Sequence, residues 1–255
     1  MNRVWSGAFP IHTYELDPHF RLSVSAYLGF LQEAAGHNAH SLGFSIPQLQ
    51  ARNLTWMLSR LRVRMGVYPG WKESLTVETW PVGFSRLFAL RDFRTLLGSE
   101  EVGVAASAWL LLDVRKRRPV RPEALGDWSG LIHPQRAFAA GLERLPAFPT
   151  AAGDGVREQE LQVRYGDLDV NLHANNLRYA EWLLESIPAE LLRTSIPVEL
   201  DFDFLAEAAA GERILSRSLP LGGGAYAHSL VRRHDNVEVA RARTAWRPAE
   251  PAAPG

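Results

Sequence analysis

The sequence predicts an α+β protein built from two copies of one unit, each a helix wrapped by an antiparallel β-sheet. Two observations carry that prediction. A set of polar and apolar residues recurs at constant spacing, and each recurrence is followed by segments that alternate with period two. In the first copy Asp17 leads to Tyr27, Phe30, Leu31, Glu33 and Ala34. In the second, Asp169 leads to Tyr179, Trp182, Leu183, Glu185 and Ser186, every position displaced by 152 residues. Positions i, i+3, i+4 and i+7 place these side chains in one buried stripe along a helix.

Strand patterns come next in both copies. Leu61, Val63 and Met65 alternate with Arg60, Arg62 and Arg64, and Leu200, Phe202 and Phe204 alternate with Asp201 and Asp203. Such alternation marks half-buried strands. The offset here is 139, so the second copy is 13 residues shorter between helix and strand, and the region around His40 to Asn53 is the stretch it lacks. Further strands are expected at 74–82, 88–96 and 102–113, with counterparts at 213–221, 226–232 and 237–246. Trp109 in Ser-Ala-Trp echoes Trp246 in Thr-Ala-Trp. A strand, a long helix and a run of strands pack most simply as one helix enclosed by the sheet. This is a hotdog fold, and two copies make a double hotdog. Residues 1–113 are expected to form the first hotdog, 114–159 a connector with a short helix near 122–127, 160–247 the second hotdog, and 248–255 a Pro/Ala-rich disordered tail.

Composition narrows the function. Lys plus Arg and Asp plus Glu both number 28, and the net charge of zero gives no support to general nucleic-acid binding. With no cysteine, disulfides, thiolate–metal sites and a cysteine nucleophile are excluded. Residues 1–10 lack an apolar run of signal length, and no stretch approaches ~20 consecutive apolar residues. The expectation is a cytoplasmic protein without membrane insertion.

The copies diverge where chemistry is expected. The second carries Asp169-Val170-Asn171-Leu172-His173-Ala174-Asn175-Asn176 just before its helix, where the first has Asp17-Pro18-His19-Phe20-Arg21-Leu22-Ser23-Val24. A carboxylate, an amide and an imidazole at alternating positions can converge on one spot. The helix start adds free N–H groups. Together they could orient a water and stabilise an oxyanion. Any one of these residues alone is accounted for as a cap or turn former, but one cap needs only one residue.

The run from Asp169 to Tyr179, followed by Trp182 and Glu185-Ser186, resembles the second hotdog of plant and bacterial acyl-acyl-carrier-protein (acyl-ACP) thioesterases. Thr55-Trp56-Met57-Leu58-Ser59-Arg60, Tyr68-Pro69-Gly70-Trp71 and Val77-Glu78-Thr79-Trp80-Pro81 resemble that family's first repeat, and the likeness runs from about Val4 to Arg247. The resemblance implies a catalytic glutamate at Glu207 in Phe204-Leu205-Ala206-Glu207-Ala208, which unaided reading would leave as an exposed loop residue. Plant relatives often have cysteine directly after it. Ala208 stands there in this chain, so the chemistry must use water.

The implied reaction is hydrolysis of fatty acyl-ACP, with an acyl carrier protein as partner, no cofactor and no metal, although the ligand types of Asp169, His173 and Glu207 alone would also suit a metal. Glu207 is expected to act as general base and Asn171 to hold the carbonyl or the water. His173 would donate to the water network or the leaving sulfur, and Asp169 would orient either neighbour. The roles of Asp169, His173 and Glu207 can be permuted until geometry is known. Asn175, Asn176, Phe30, Trp56 and Met57 are the expected substrate contacts, with the acyl chain in the first unit. Rival readings are an acyl-CoA thioesterase and a non-catalytic acyl-binding protein, and a homodimer is left open. His12, His19, His37 and His40 read as surface or packing residues without carboxylate partners at site-like spacing. Trp71 and Trp80 read as core or edge aromatics. The run Arg115, Lys116, Arg117, Arg118 and Arg121 is either a solvated connector or a patch for an acidic carrier.

Overall fold

A computed structural model describes residues 3–138, 141–149 and 155–249. The chain divides into two compact units, Met1–Glu143 and Arg144–Gly255. The first contains β1 (Trp5–Pro10), α1 (Val24–Ser41), α2 (Ile46–Gln50), β2 (Leu54–Met65), β3 (Ser74–Ser85), β4 (Phe88–Leu97), β5 (Glu100–Asp113) and β6 (Arg118–Val120). Its antiparallel sheet has the order β1-β3-β4-β5-β2, with β6 paired to β5. The second contains β7 (Arg157–Gln162), α3 (Asn176–Leu184), α4 (Ala189–Thr194), β8 (Ser195–Phe204), β9 (Arg213–Gly222), β10 (Ala225–Arg232) and β11 (Val237–Pro248). Its sheet has the same order, β7-β9-β10-β11-β8.

The helical stripe is buried as its spacing requires. Tyr27, Phe30, Leu31 and Ala34 are inside the first unit, and Tyr179, Trp182, Leu183 and Ser186 inside the second. In the first unit α1 packs on β1 and β3, and in the second α3 packs on β9 and β10. The helix lies very close to its sheet. A Cβ on Gly103 would come 3.0 Å from the Tyr27 hydroxyl and 2.7 Å from Met65 Sδ, so a side chain there would have to displace Met65. The Trp echo is structural as well: Trp109 Nε1 donates to Ser107 Oγ and Trp246 Nε1 to Thr244 Oγ1, both at 2.8 Å.

Four details differ from the sequence reading. The second helix is short, nine residues against eighteen in α1. Pro188 disfavours helical backbone at Ile187, and the chain restarts as α4. In residue count α3 and α4 together span what α1 spans alone, and β8 follows at once, so α2 and its flanks have no counterpart. Asp203 is buried rather than turned to solvent, its Oδ2 accepting from Leu145 N at 2.9 Å. Much of the expected connector is built into the first unit. β6 extends the sheet, a short 3-10 turn covers Pro122–Leu125, and Leu125 and Trp128 join Phe44, Leu49 and Leu111 in an apolar cluster. β7 already begins at Arg157. At the C-terminus β11 runs to Pro248 and Ala249 N bonds to Thr194 O at 2.8 Å, while residues 250–255 of the expected tail lie outside the described residues.

Candidate active site

The segment before α3 is a turn built on one carboxylate. Asp169 Oδ1 accepts from Asn171 N at 2.7 Å and from His173 N at 3.4 Å, and Asp169 N donates back to His173 O at 2.8 Å. Leu172, between them, adopts φ +63°. A side chain that mimics backbone acceptors in this way makes an Asx turn. Asn175 is the N-cap of α3: its Oδ1 accepts from Leu177 N at 3.0 Å, and Asn176 is the first helical residue. Ala174 N donates to Ala208 O at 2.8 Å, which ties the turn to the loop after β8.

The first unit builds the same turn. Asp17 Oδ1 accepts from His19 N and Arg21 N at 2.8 and 3.1 Å, Phe20 has φ +59°, and Leu22 N donates to Pro69 O at 2.7 Å. What differs is the use of the side chains. Arg21 closes on Asp17 Oδ2 through Nε and Nη2 at 3.0 and 2.9 Å, which neutralises the carboxylate. Among the described residues of the second unit, only Asn171 Nδ2 approaches Asp169 Oδ2, at 3.4 Å. The His173 ring turns away from Asp169, and its Nε2 lies 3.2 Å from Glu207 Oε2, with both side chains partly open to solvent. The expected site residues therefore resolve into two linked pairs, Asp169 with Asn171 and His173 with Glu207.

The loop carrying Glu207 is pinned on consecutive carbonyls. Ala206 O accepts from the Tyr179 hydroxyl at 3.2 Å, Glu207 O from Arg232 Nη1 at 2.8 Å, and Ala208 O from Ala174 N. Ala209 N donates to Glu212 Oε2 at 2.8 Å. Burial holds the Tyr179 phenol well above its ordinary range, so it stays a neutral donor. Ala208 is fully buried.

Sequence reading from the residues alone does not find Glu207, yet the repeat contains a signal. At the 139-residue offset Glu207 falls on Tyr68, Ala208 on Pro69 and Glu212 on Glu73. Gly70 N donates to Glu73 Oε2 at 2.6 Å just as Ala209 N does to Glu212. A carboxylate that replaces an aromatic in an otherwise duplicated loop is the mark of a copy-specific role.

The expected substrate contacts separate. Asn175 is occupied as a cap. Phe30 is buried and stacks on Phe9 with ring centroids 4.9 Å apart. Trp56 packs on the Phe44 and Leu111 cluster and donates from Nε1 to Phe44 O at 2.9 Å. Met57 pairs with Leu110 and lies on the face shared by Arg60, Arg62 and Arg64. Trp56, Leu61, Val63 and Met65 share the other, helix-facing side, because a bulge at Ser59 shifts the register between them. Met57 thus does not pack beside α1 as expected. Two of the four first-half histidines do meet carboxylates: His12 contacts Glu15 at 3.0 Å and His37 contacts Glu33 at 3.2 Å, as local i,i+3 and i,i+4 pairs. Trp71 is exposed, and Trp80 is buried with its Nε1 donating to Gln135 O at 2.8 Å.

Two hotdog units in sequence, the second bearing a carboxylate–imidazole pair beside a helix start, define a tandem hotdog protein of the thioesterase type. Residues 2–124 match the acyl-ACP thioesterase N-terminal domain and residues 151–248 the C-terminal domain. The chain belongs to the acyl-ACP thioesterase family. The chloroplastic palmitoyl-acyl carrier protein thioesterase of Cuphea hookeriana is 29% identical over 94% of this chain, which spans 61% of that relative's length. The solved 12:0-ACP thioesterase of Umbellularia californica is similar over 98% of this chain and 99% of its own, with a TM-score of 0.86 and 26% identity. An acyl-ACP thioesterase structure from Bacteroides thetaiotaomicron shares the fold, with a TM-score of 0.83, 23% identity, and coverage of 96% of this chain and 98% of its own. No helix among the described residues is long and apolar enough to cross a membrane.

Proposed function

We propose that this chain hydrolyses fatty acyl-ACP thioesters to free fatty acid and the carrier thiol, and that it does so by water attack at the second unit. The observation that carries this reading is the 3.2 Å pair of His173 Nε2 and Glu207 Oε2 on a loop whose backbone is pinned on three consecutive carbonyls. Glu207 takes a proton from the attacking water, and His173 donates to the carboxylate and keeps it oriented. The water oxygen bonds to the thioester carbon, and the tetrahedral oxyanion is met by the Asn171 amide, which Asp169 holds. Collapse breaks the C–S bond, and the departing thiolate takes up the proton that the site accepted. Asp169 serves mainly as the turn's anchor, since its first-unit twin Asp17 makes the same backbone bonds where this constellation is missing.

The acyl chain is assigned to the first unit, where Phe30 and Trp56 lie on the apolar side of the sheet. The exposed turn between β5 and β6, with Arg115, Lys116 and Arg117, together with Arg118 at the start of β6, is assigned to the acidic carrier protein, and the protein to the cytoplasm. The deciding experiment measures free thiol and free fatty acid released from dodecanoyl-ACP and palmitoyl-ACP by the intact protein and by His173→Ala. Release that His173→Ala lowers by about 10²-fold or more supports the reading, on the scale of losing one oriented donor. No release from any acyl-ACP, with turnover of acyl-CoA instead, would reassign the carrier.

A further inference from the structure

The two copies allow a subtraction. Bonds present in both units hold the fold, and bonds present only beside Glu207 serve what only that unit does. Leu205 N to Val239 O has its twin in Gly66 N to Val102 O, both 2.9 Å. Ala174 N to Ala208 O repeats Leu22 N to Pro69 O, and Ala209 N to Glu212 repeats Gly70 N to Glu73. Two bonds remain. One is from Tyr179, whose first-unit twin Tyr27 bonds instead to Thr95 Oγ1 at 2.9 Å. The other is Arg232 Nη1 to Glu207 O at 2.8 Å. Arg232 pairs with Ile214 across β10 and β9, as Leu97 pairs with Leu75 across β4 and β3, so the first copy has leucine where the second has this guanidinium.

We propose that Arg232 is a positioning residue for Glu207: braced by Asp235, it fixes the main chain of Glu207 so that the carboxylate stays against His173. This rests on the base role assigned to Glu207 above. Arg232 is itself held on two sides. Its Nε and Nη2 donate to the Asp235 carboxylate at 2.7–3.2 Å, and Nη1 also lies 3.8 Å from Glu212 Oε2. Asp235 Oδ1 in turn accepts from Val237 N at 3.2 Å, so the brace is anchored in the β10–β11 turn. The Arg232 partner holds the Asp235 carboxyl down at about 2, so the fork stays charged throughout the working pH range. Of the four hydrogen bonds, three serve the turn and one reaches 25 residues back to the loop bearing the base. A turn that needed only its own closure would not use that fourth contact. A guanidinium is suited to the task, since its rigid fork can engage a carboxylate and a carbonyl at fixed angles.

The test measures kcat and KM on dodecanoyl-ACP for Arg232→Leu, Arg232→Lys, Glu207→Gln and the double variant Arg232→Leu/Glu207→Gln. Arg233→Leu, which removes only the neighbouring ion pair to Glu160, serves as the control. A displacement of about 1 Å at a catalytic group can cost ~10²-fold. Arg232→Leu is therefore expected to lower kcat at least tenfold with KM unchanged, and Arg232→Lys, which keeps a donor for Glu207 O, to recover much of that loss. Arg233→Leu should match the parent. Removal of Arg232 from the Glu207→Gln variant should cost almost nothing further, because a brace has no purpose once its base is gone. Strong loss in Glu207→Gln with unchanged kcat in Arg232→Leu, or with full additivity in the double variant, overturns the brace alone. Unchanged turnover in Glu207→Gln overturns the base assignment and the brace with it. Should Arg232→Leu fold poorly, Asp235→Ala, which removes the carboxylate that holds Arg232, decides the question: a kcat lowered severalfold at a temperature where the variant is folded supports the brace, and an unchanged kcat overturns it.

Discussion

The duplicated Asx turn permits a matched experiment, in which Asp17→Ala and Asp169→Ala remove the same anchor from the two units. Asp169 gives up one short bond to Asn171 N at 2.7 Å and two long ones at 3.4 Å. Asp17 gives up four bonds between 2.8 and 3.1 Å, two of them from the Arg21 side chain. A hydrogen bond to a charged group contributes about 1.5–3 kcal/mol. Because the long bonds are weak and the Asp17–Arg21 pair is partly solvated, both variants are expected to lose roughly 2 kcal/mol, and Asp17→Ala no less than Asp169→Ala. For a chain of this size each kcal/mol moves the melting temperature by about 2–4 °C, so both should melt ~4–8 °C lower. Turnover should separate them. Asp169→Ala frees the backbone that presents Asn171 and His173, and its kcat on dodecanoyl-ACP should fall on the order of 10²-fold at a temperature where both variants are folded. Asp17→Ala should keep kcat within about twofold once corrected for folded fraction. Scanning calorimetry and a thiol-release assay on the same preparations would check this. Equal losses of kcat in the two variants would refute the assignment of catalysis to the second unit alone.

Three other predictions concern separate parts of the molecule. Glu207→Gln should abolish most turnover while thiol-alkylating reagents leave the parent untouched, since the amide cannot accept the water's proton and the chain has no cysteine; near-normal kcat in Glu207→Gln would move the base role to another group. His228 is buried against Thr244 Oγ1 at 2.8 Å, and burial lowers its pKa to about 4. Below pH ~6.5 the unfolded chain takes up a proton that the folded His228 refuses, so this contribution to stability is full above pH 6.5 and falls by about 1.4 kcal/mol per pH unit down to pH 4. Urea unfolding at pH 7 and pH 5 should show that fall, and His228→Phe, matching Phe93 at the same register position in the first unit, should remove about 2 kcal/mol of it; an unchanged pH difference would exclude His228 as its source. Replacing Arg115, Lys116, Arg117 and Arg118 with Glu should raise KM for dodecanoyl-ACP at least tenfold at low salt without changing kcat, and leave dodecanoyl-N-acetylcysteamine turnover unaltered; equal KM values for the ACP substrate would locate the carrier elsewhere.

The sequence by itself determined the duplication, and with it most of the architecture. Helical stripes and strand alternation are local periodicities that burial enforces residue by residue, so Tyr27 and Tyr179, or Leu61 and Leu200, declare their places without a fold in hand. It also determined that the copies differ at Asn171 and His173, because a repeat supplies its own reference. Tertiary structure decided what those differences mean. That the His173 ring meets Glu207 rather than Asp169 depends on a loop 34 residues away in sequence, brought close by the Ala174–Ala208 bond. That Trp56 rather than Met57 shares the face of Leu61, Val63 and Met65 turns on a single bulged residue, Ser59, a displacement that alternation cannot foresee. That Arg232 reaches Glu207 follows from the β10–β11 turn folding back over the loop after β8. Periodic, one-sided burial is written locally in the chain, whereas the pairing of two polar side chains is set by where distant backbone segments happen to be tied together.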